Sequence, residues 1–293
     1  MRVFVTGGTG LIGSAVVTEL LEHGHDVLAL ARSAASANKL RAAGAEPILG
    51  GLADHNVLRA AVAQADGVVH LAFSNDFSSP EALAAGITEE AAALDTIGTA
   101  LLGSDRPFVL CSGTPAIPGR VAAESDPPIL EGPVAGRSRA VIAALALADR
   151  GVRTCAVRLP RTVHNHGDGG FAGLLTQIAR TNRVATYPGD GTQRWPAVHA
   201  ADAAALFRLA LESAPAGSSW HAVHDEGDQV RDIVGVIGRR LGLPVTSVPA
   251  ETFGPLGQIF AADQPASSHE TREALGWRPT HPSLLADLEN IVP

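Results

Sequence analysis

The sequence predicts an α/β fold built on a doubly wound parallel sheet, and three observations predict it. Short apolar runs alternate with stretches of helical spacing through the first half of the chain. The runs are apolar almost without interruption, as strands covered on both faces must be. The first of them breaks into glycines, "MRVFVTGGTGLIG" at residues 1–13, and leads into a helix. In order, the strand-like runs occupy residues 3–6, 27–30, 47–49, 68–72, 108–112 and 154–159. Between them lie patterns such as Ile12, Val16, Leu20 and Leu21, which share one face of a helix. After about Pro160 the rhythm changes. Glycines, prolines and histidines crowd residues 160–196, and the C-terminal third reads as short helices and loops.

Composition narrows the function classes. The chain has 293 residues with 46% apolar content, ample for a sizeable core. Acidic residues outnumber basic ones, 30 to 22, and there is no basic block, which argues against a nucleic-acid partner. The longest apolar stretches, such as residues 140–148, are too short to span a bilayer, and no signal-peptide pattern precedes the first strand. Cys111 and Cys155 each lie inside an apolar run and are expected to be reduced core thiols. The expectation is a cytoplasmic globular protein acting on a small-molecule substrate, with no membrane or nucleic-acid partner.

The glycine loop carries the first chemistry. Gly7 permits the sharp turn, Gly10 lets the backbone approach a pyrophosphate, and Gly13 lets helix and strand pack closely. Phosphates would then rest on the helix N-terminus, where free N–H groups and the helix dipole favour an anion. Gly7, Thr9, Gly10, Leu11 and Ile12 are therefore the expected cofactor-binding residues. The second strand ends in Arg32 and Ser33 with no acidic residue for a ribose 2′-hydroxyl. Arg32 suits a 2′-phosphate and Ser33 adds a hydroxyl, so NADPH or NADP is expected in preference to NAD.

With that loop in place, the chain resembles the extended short-chain dehydrogenase/reductase superfamily, in its NAD-dependent epimerase/dehydratase-like branch. "TGGTGLIG" is that family's form of the loop, and "VVHLAF" at 68–73 looks like its fourth strand. "FVLCSGT" at 108–114 is similar to the fifth, and "AVRLPRTVHNHGDGG" at 156–170 to the Arg-Pro-x-x-Val-Tyr-Gly segment. "WPAVHAADAAALFRLAL" at 195–211 and "TREALGWRPTH" at 271–281 match its later signatures. The resemblance implies a Rossmann domain over 1–160, to which 197–224 returns, and a small C-terminal substrate-binding domain from 161–196 and 225–293. It also implies cofactor contacts from Leu52, Ala72 and Pro160, and a possible homodimer. The third strand ends Gly50-Gly51-Leu52 where the family has Gly-Asp-Leu, so no carboxylate stands there to meet the adenine.

The family's catalytic pair is Tyr-x-x-x-Lys, and this chain cannot supply it. Its only tyrosine is Tyr187 and its only lysine is Lys39. On the helical stretch at 132–151, counting back from Gly151 and Arg158 puts Arg137 in the lysine's place and Pro133 in the tyrosine's. Aligning on "GRSR" gives Arg139 and Ala135 instead. Either way a cation remains and the phenol is lost. Ser112, Arg137 and His164 are the candidate catalytic residues: a hydroxyl over the nicotinamide, a ribose-holding cation, and an imidazole in the place of the Val-Tyr-Gly tyrosine. His164, His166 and Asp168 lack the spacing of a recognised metal motif, and no metal is assigned. The leading expectation is an NADPH-dependent oxidoreductase that reduces a carbonyl, imine or activated double bond on a small, largely apolar substrate. The alternatives are a catalytically silent NADP(H)-binding sensor or partner-binding protein, and a non-redox lyase or isomerase.

Overall fold

The computed structural model describes residues 1–292 except 75 and 77. The chain begins with β1 (Arg2–Thr6), α1 (Leu11–Glu22), β2 (Asp26–Ala31), α2 (Ala34–Ala42), β3 (Glu46–Leu49), α3 (His55–Ala63) and β4 (Gly67–His70). The long α4 (Pro80–Leu101) leads to β5 (Pro107–Gly113), α5 (Ala135–Leu145) and β6 (Arg153–Leu159). Next come β7 (Thr162–His164), α6 (Gly170–Asn182), β8 (Ala185–Pro188), β9 (Arg194–His199), α7 (Ala200–Ser213) and β10 (Ser218–His221). The chain ends through β11 (Asp225–Gln229), α8 (Val230–Leu241), β12 (Val245–Val248), α9 (Gly257–Ala261), α10 (His269–Leu275) and α11 (Leu284–Leu288).

Among the described residues, seven strands form one parallel sheet in the order β10-β6-β5-β4-β1-β2-β3. Burial on both faces explains their unbroken apolar runs. On β1, Val3 and Val5 pack with Val17 and Leu20 of α1 and Phe207 of α7, while Phe4 points the other way toward Leu58 of α3 and Ile97 of α4. The strand order reverses between β1 and β4, which opens a crevice at their carboxyl ends. A second sheet, β11-β9-β7, and a strand pair, β12-β8, surround a separate core that includes Trp195, Ile233, Phe260 and Leu284. No helix among the described residues is long and apolar enough to cross a membrane.

The late sequence signatures meet in space. Asp202, in the first turn of α7, is buried and accepts N–H groups from Thr280 at 2.9 Å and His281 at 3.1 Å. The Trp277 indole N–H donates to the Asp202 carbonyl at 2.9 Å. The "HAAD" and "LGWRPTH" segments are thus one staple that ties the chain's end to the first turn of α7.

Two element boundaries differ from the sequence expectation. The run at 68–72 stops being a strand at His70: the Leu71 N–H is shared between the Thr6 carbonyl and hydroxyl, each at 3.2 Å, and the Ala72 N–H turns to the Thr6 hydroxyl at 3.2 Å. The helical stretch at 132–151 starts only at Ala135 and tightens into a 3₁₀ turn over Ala146–Arg150, closed by Gly151 at φ +74°.

The glycine loop has no spare room. A Cβ on Gly13 would sit 2.0 Å from the Gly7 carbonyl oxygen, so helix α1 can begin where it does only without one. Gly13→Ala is expected to cost about 2 kcal/mol or more, seen as a lower urea midpoint at unchanged m-value. An unchanged midpoint would show that the loop tolerates the displacement.

Candidate functional site

The crevice between β1 and β4 is a cavity of about 340 Å³. Its floor is the glycine loop. Gly7 adopts φ +76°, and a Cβ there would meet the Ala72 amide nitrogen at 2.8 Å, so the loop lies directly against the chain leaving β4. Gly10 is the N-cap of α1 and offers no side chain to the helix's first N–H groups. A helix N-terminus that begins at the cavity in this way is suited to a phosphate.

Most of the expected cofactor residues line this cavity, with some reassignment. Gly7, Thr9, Gly10, Arg32, Leu52 and Ala72 do so, together with Ser36 and Glu89. Arg32 is exposed and makes no hydrogen bond or ion pair among the described residues. Ser33 is occupied elsewhere: its hydroxyl caps α2 by accepting the Ser36 N–H at 3.1 Å, and the Ser36 side chain reaches the cavity in its place. Leu11 and Ile12 are outside the lining. Leu11 is exposed on another face, and Ile12 packs against the core, so only their backbone at the helix start stands near the loop. Pro160, just past β6, does not line the cavity. The Gly51 N–H donates to Asp54 Oδ2 at 2.6 Å, a contact within the turn after β3.

No hydrogen bond or ion pair joins the three candidate catalytic residues. Ser112 lies half-buried near the carboxyl end of β5. Arg137 is gripped by Glu90 of α4, with Nε at 2.7 Å and Nη2 at 2.8 Å from its two oxygens. Glu90 is itself buried, and the guanidinium sits 4.0 Å from the centroid of the Phe73 ring. The cation expected to hold a ribose is therefore already neutralised by a carboxylate that its sequence neighbourhood does not announce.

His164 is a correction. Its ring is fully buried and Nδ1 donates to Asp287 Oδ2 at 2.8 Å, while Asp287 also accepts the Gly167 N–H at 3.0 Å. Pairing of β7 with β9 turns the imidazole inward, edge-on to His199 at 5.5 Å. A group with no exposure and a carboxylate on its ring is a structural tie between β7 and α11, not a proton donor to a substrate. His166 lies exposed at φ +53°, while His164 is buried. Among the described residues, no group of three His, Cys, Asp or Glu side chains is arranged to hold a metal ion. Tyr187 lies on β8. Both cysteines are free thiols, and burial pushes Cys111 up to about 11 and Cys155 to about 12, which keeps them protonated and inert.

The sequence singled out His70 only as part of a strand, yet through Thr6 its ring is tied to Leu71 and Ala72 of the crevice wall. The Thr6 hydroxyl accepts two backbone N–H groups and so donates to His70 Nδ1 at 3.0 Å. Burial drives the His70 pKa from 6.5 down to about 4, and the Arg137 charge acts in the same sense. Since the unfolded chain takes up a proton that the folded one refuses, this group lowers stability as pH falls from 6.5 toward 4. NMR titration is expected to find the folded-state imidazole still neutral at pH 5.5; a midpoint near 6.5 would contradict its burial against Thr6.

Comparison with known proteins agrees with this architecture. A model of the NAD dependent epimerase/dehydratase family matches residues 3–223. An uncharacterised protein of Schizosaccharomyces pombe is 43% identical over 297 residues, covering 98% of both chains. A 2-alkyl-3-oxoalkanoate reductase of Stenotrophomonas maltophilia is 30% identical over 258 residues, covering 83% of this chain and 77% of that one. Among solved structures, the UDP-glucose 4-epimerase of Thermotoga maritima superposes with a TM-score of 0.82 at 18% identity, over 99% of this chain and 97% of that one. The chain with its glycine loop, its switch-point crevice and its stapled C-terminal segment belongs to the NAD-dependent epimerase/dehydratase family.

Proposed function

We propose that this protein is an NADPH-dependent oxidoreductase that reduces a carbonyl, imine or activated double bond on a small, largely apolar substrate without a tyrosine–lysine pair. The observation that carries the cofactor assignment is Arg32. It stands at the crevice with no carboxylate partner, beside the Ser36 hydroxyl, at the strand end where a ribose 2′-substituent would lie. Reduction as the reaction class draws support from the Stenotrophomonas relative, which is named as a reductase.

When bound, the nicotinamide supplies the hydride. The chain's residues have the remaining tasks. Backbone N–H groups of the glycine loop hold the pyrophosphate, and Arg32 with Ser36 holds the 2′-phosphate. The Ser112 hydroxyl polarises the substrate oxygen, with water from the open crevice as the source of the proton. Positioning rather than a dedicated acid provides the rate. A second reading, an NADP(H)-binding protein without turnover, is favoured by one observation: Arg137 is already engaged by Glu90. The lyase or isomerase reading, which needs a histidine as acid or base, is less favoured because His164 is buried.

Fluorescence titration separates these readings. NADPH is expected to bind in the micromolar range and more tightly than NADH, and Arg32→Ala is expected to weaken NADPH at least tenfold, about 1.4 kcal/mol, while leaving NADH unchanged. Equal affinities, or a mutant that binds NADPH normally, would remove the NADPH assignment. Binding without oxidation of NADPH across carbonyls, imines and enones would favour the silent reading.

A further inference from the structure

Two arginines in this chain illustrate how a guanidinium grips a carboxylate. Arg137 uses Nε and Nη2 on Glu90, and Arg194 sets the same two nitrogens 3.1 and 2.8 Å from the oxygens of Asp263. Arg161 is placed otherwise. It lies in the turn between β6 and β7, at the carboxyl edge of the large sheet, where β6 pairs with the end of β5 that carries Ser112. Its Nη1 donates to the Ile259 carbonyl at 2.9 Å, and its guanidinium carbon is 5.5 Å from the centroid of the Phe171 ring. Among the described residues no carboxylate reaches it. Nε is buried without a hydrogen-bond partner, and Nη2 makes no hydrogen bond but keeps contact with accessible space.

A largely buried cation without a counter-charge is costly, and proteins pair such groups or neutralise them. Burial pushes the Arg161 pKa down to about 10, which still leaves it charged at neutral pH. We propose that Arg161 anchors a carboxylate of the substrate, so that the compound reduced is an organic acid with an apolar body. The Nε–Nη2 edge is the fork that fits two carboxylate oxygens, and Nη2, the accessible nitrogen, meets them first. A single guanidinium balances a monoanion. The neighbouring Arg158 is held through Nη1 on the Glu124 and Asp126 carbonyls at 3.1 and 2.9 Å, and the carboxylates of the same two residues already lie near its charge. The apolar body would meet the Phe171 ring, which lies beside the guanidinium and packs on Trp195 and Phe260 of the core with centroids at 5.7 and 5.5 Å.

The inference deepens the reductase reading and rests on it for the fate of the substrate, but not for binding of the acid. The test therefore uses the protein without added nucleotide, titrated by calorimetry at pH 7.5 with hexanoate, hexanamide and hexyl phosphate. Hexanoate is expected to bind at least tenfold more tightly than the amide and to raise Tm. Arg161→Gln is expected to abolish that preference while leaving NADPH affinity as in the parent, and Arg161→Lys to retain part of it. The ligand-free Arg161→Gln protein is expected to melt at or above the parent temperature, since an unpaired buried cation has been removed. Equal binding of acid and amide, no binding of either, or a preference that survives in Arg161→Gln would overturn the proposal. Tighter binding of hexyl phosphate would overturn the carboxylate assignment, and a Tm fall without loss of the hexanoate preference would make Arg161 a structural residue only.

Discussion

The junction of β1 with β4 at Thr6 is the constraint on which the rest of the molecule depends. One hydroxyl accepts the Leu71 and Ala72 N–H groups and donates to His70, which takes the chain off β4 at the height where the glycine loop leaves β1. Gly7 then lies against Ala72 too closely for any side chain, and Gly13 lies as closely against Gly7. These contacts set the width of the crevice.

Charge distribution among the arginines follows from the same logic. Arg137 and Arg194 meet carboxylates bidentately, Arg208 bridges Glu19 and Glu212, and Arg106 spends its guanidinium on the carbonyls of Val62, Ala65 and Ala100. Against that background, Arg32 has no hydrogen bond or ion pair among the described residues, and Arg161 has a single carbonyl and an aromatic face but no carboxylate. One stands on the cavity lining and the other at the carboxyl edge of the same sheet. Both lie where an anionic group of a bound molecule would supply the missing charge. The account of function therefore rests more on cations without an acidic protein partner than on a catalytic acid.

The sheet was legible because its strands are buried on both faces, a condition that writes itself into local composition: the runs at 3–6, 27–30 and 154–159 each lie within an observed strand. The glycine loop was legible because three positions must lack a side chain. What sequence reasoning missed is long-range. Glu90 and Asp287 meet Arg137 and His164 across 47 and 123 residues, and nothing near either acid signals the encounter. Histidines in a loop-like segment suggest exposure, and only the pairing of β7 with β9 turns His164 inward. The exchange of Ser33 for Ser36 had a local sign: a serine just ahead of a helical stretch is a strong N-cap, and its hydroxyl is then committed to the backbone.

The central claim is that a phosphorylated dinucleotide lies across the switch-point crevice with its 2′-phosphate on Arg32. Hydrogen–deuterium exchange with NADP and with NAD at saturation tests it most directly. The account predicts that either nucleotide protects the amides of residues 7–13, while only NADP also protects residues 32–36. No protection of the glycine loop, or the same protection of residues 32–36 by both nucleotides, would contradict it.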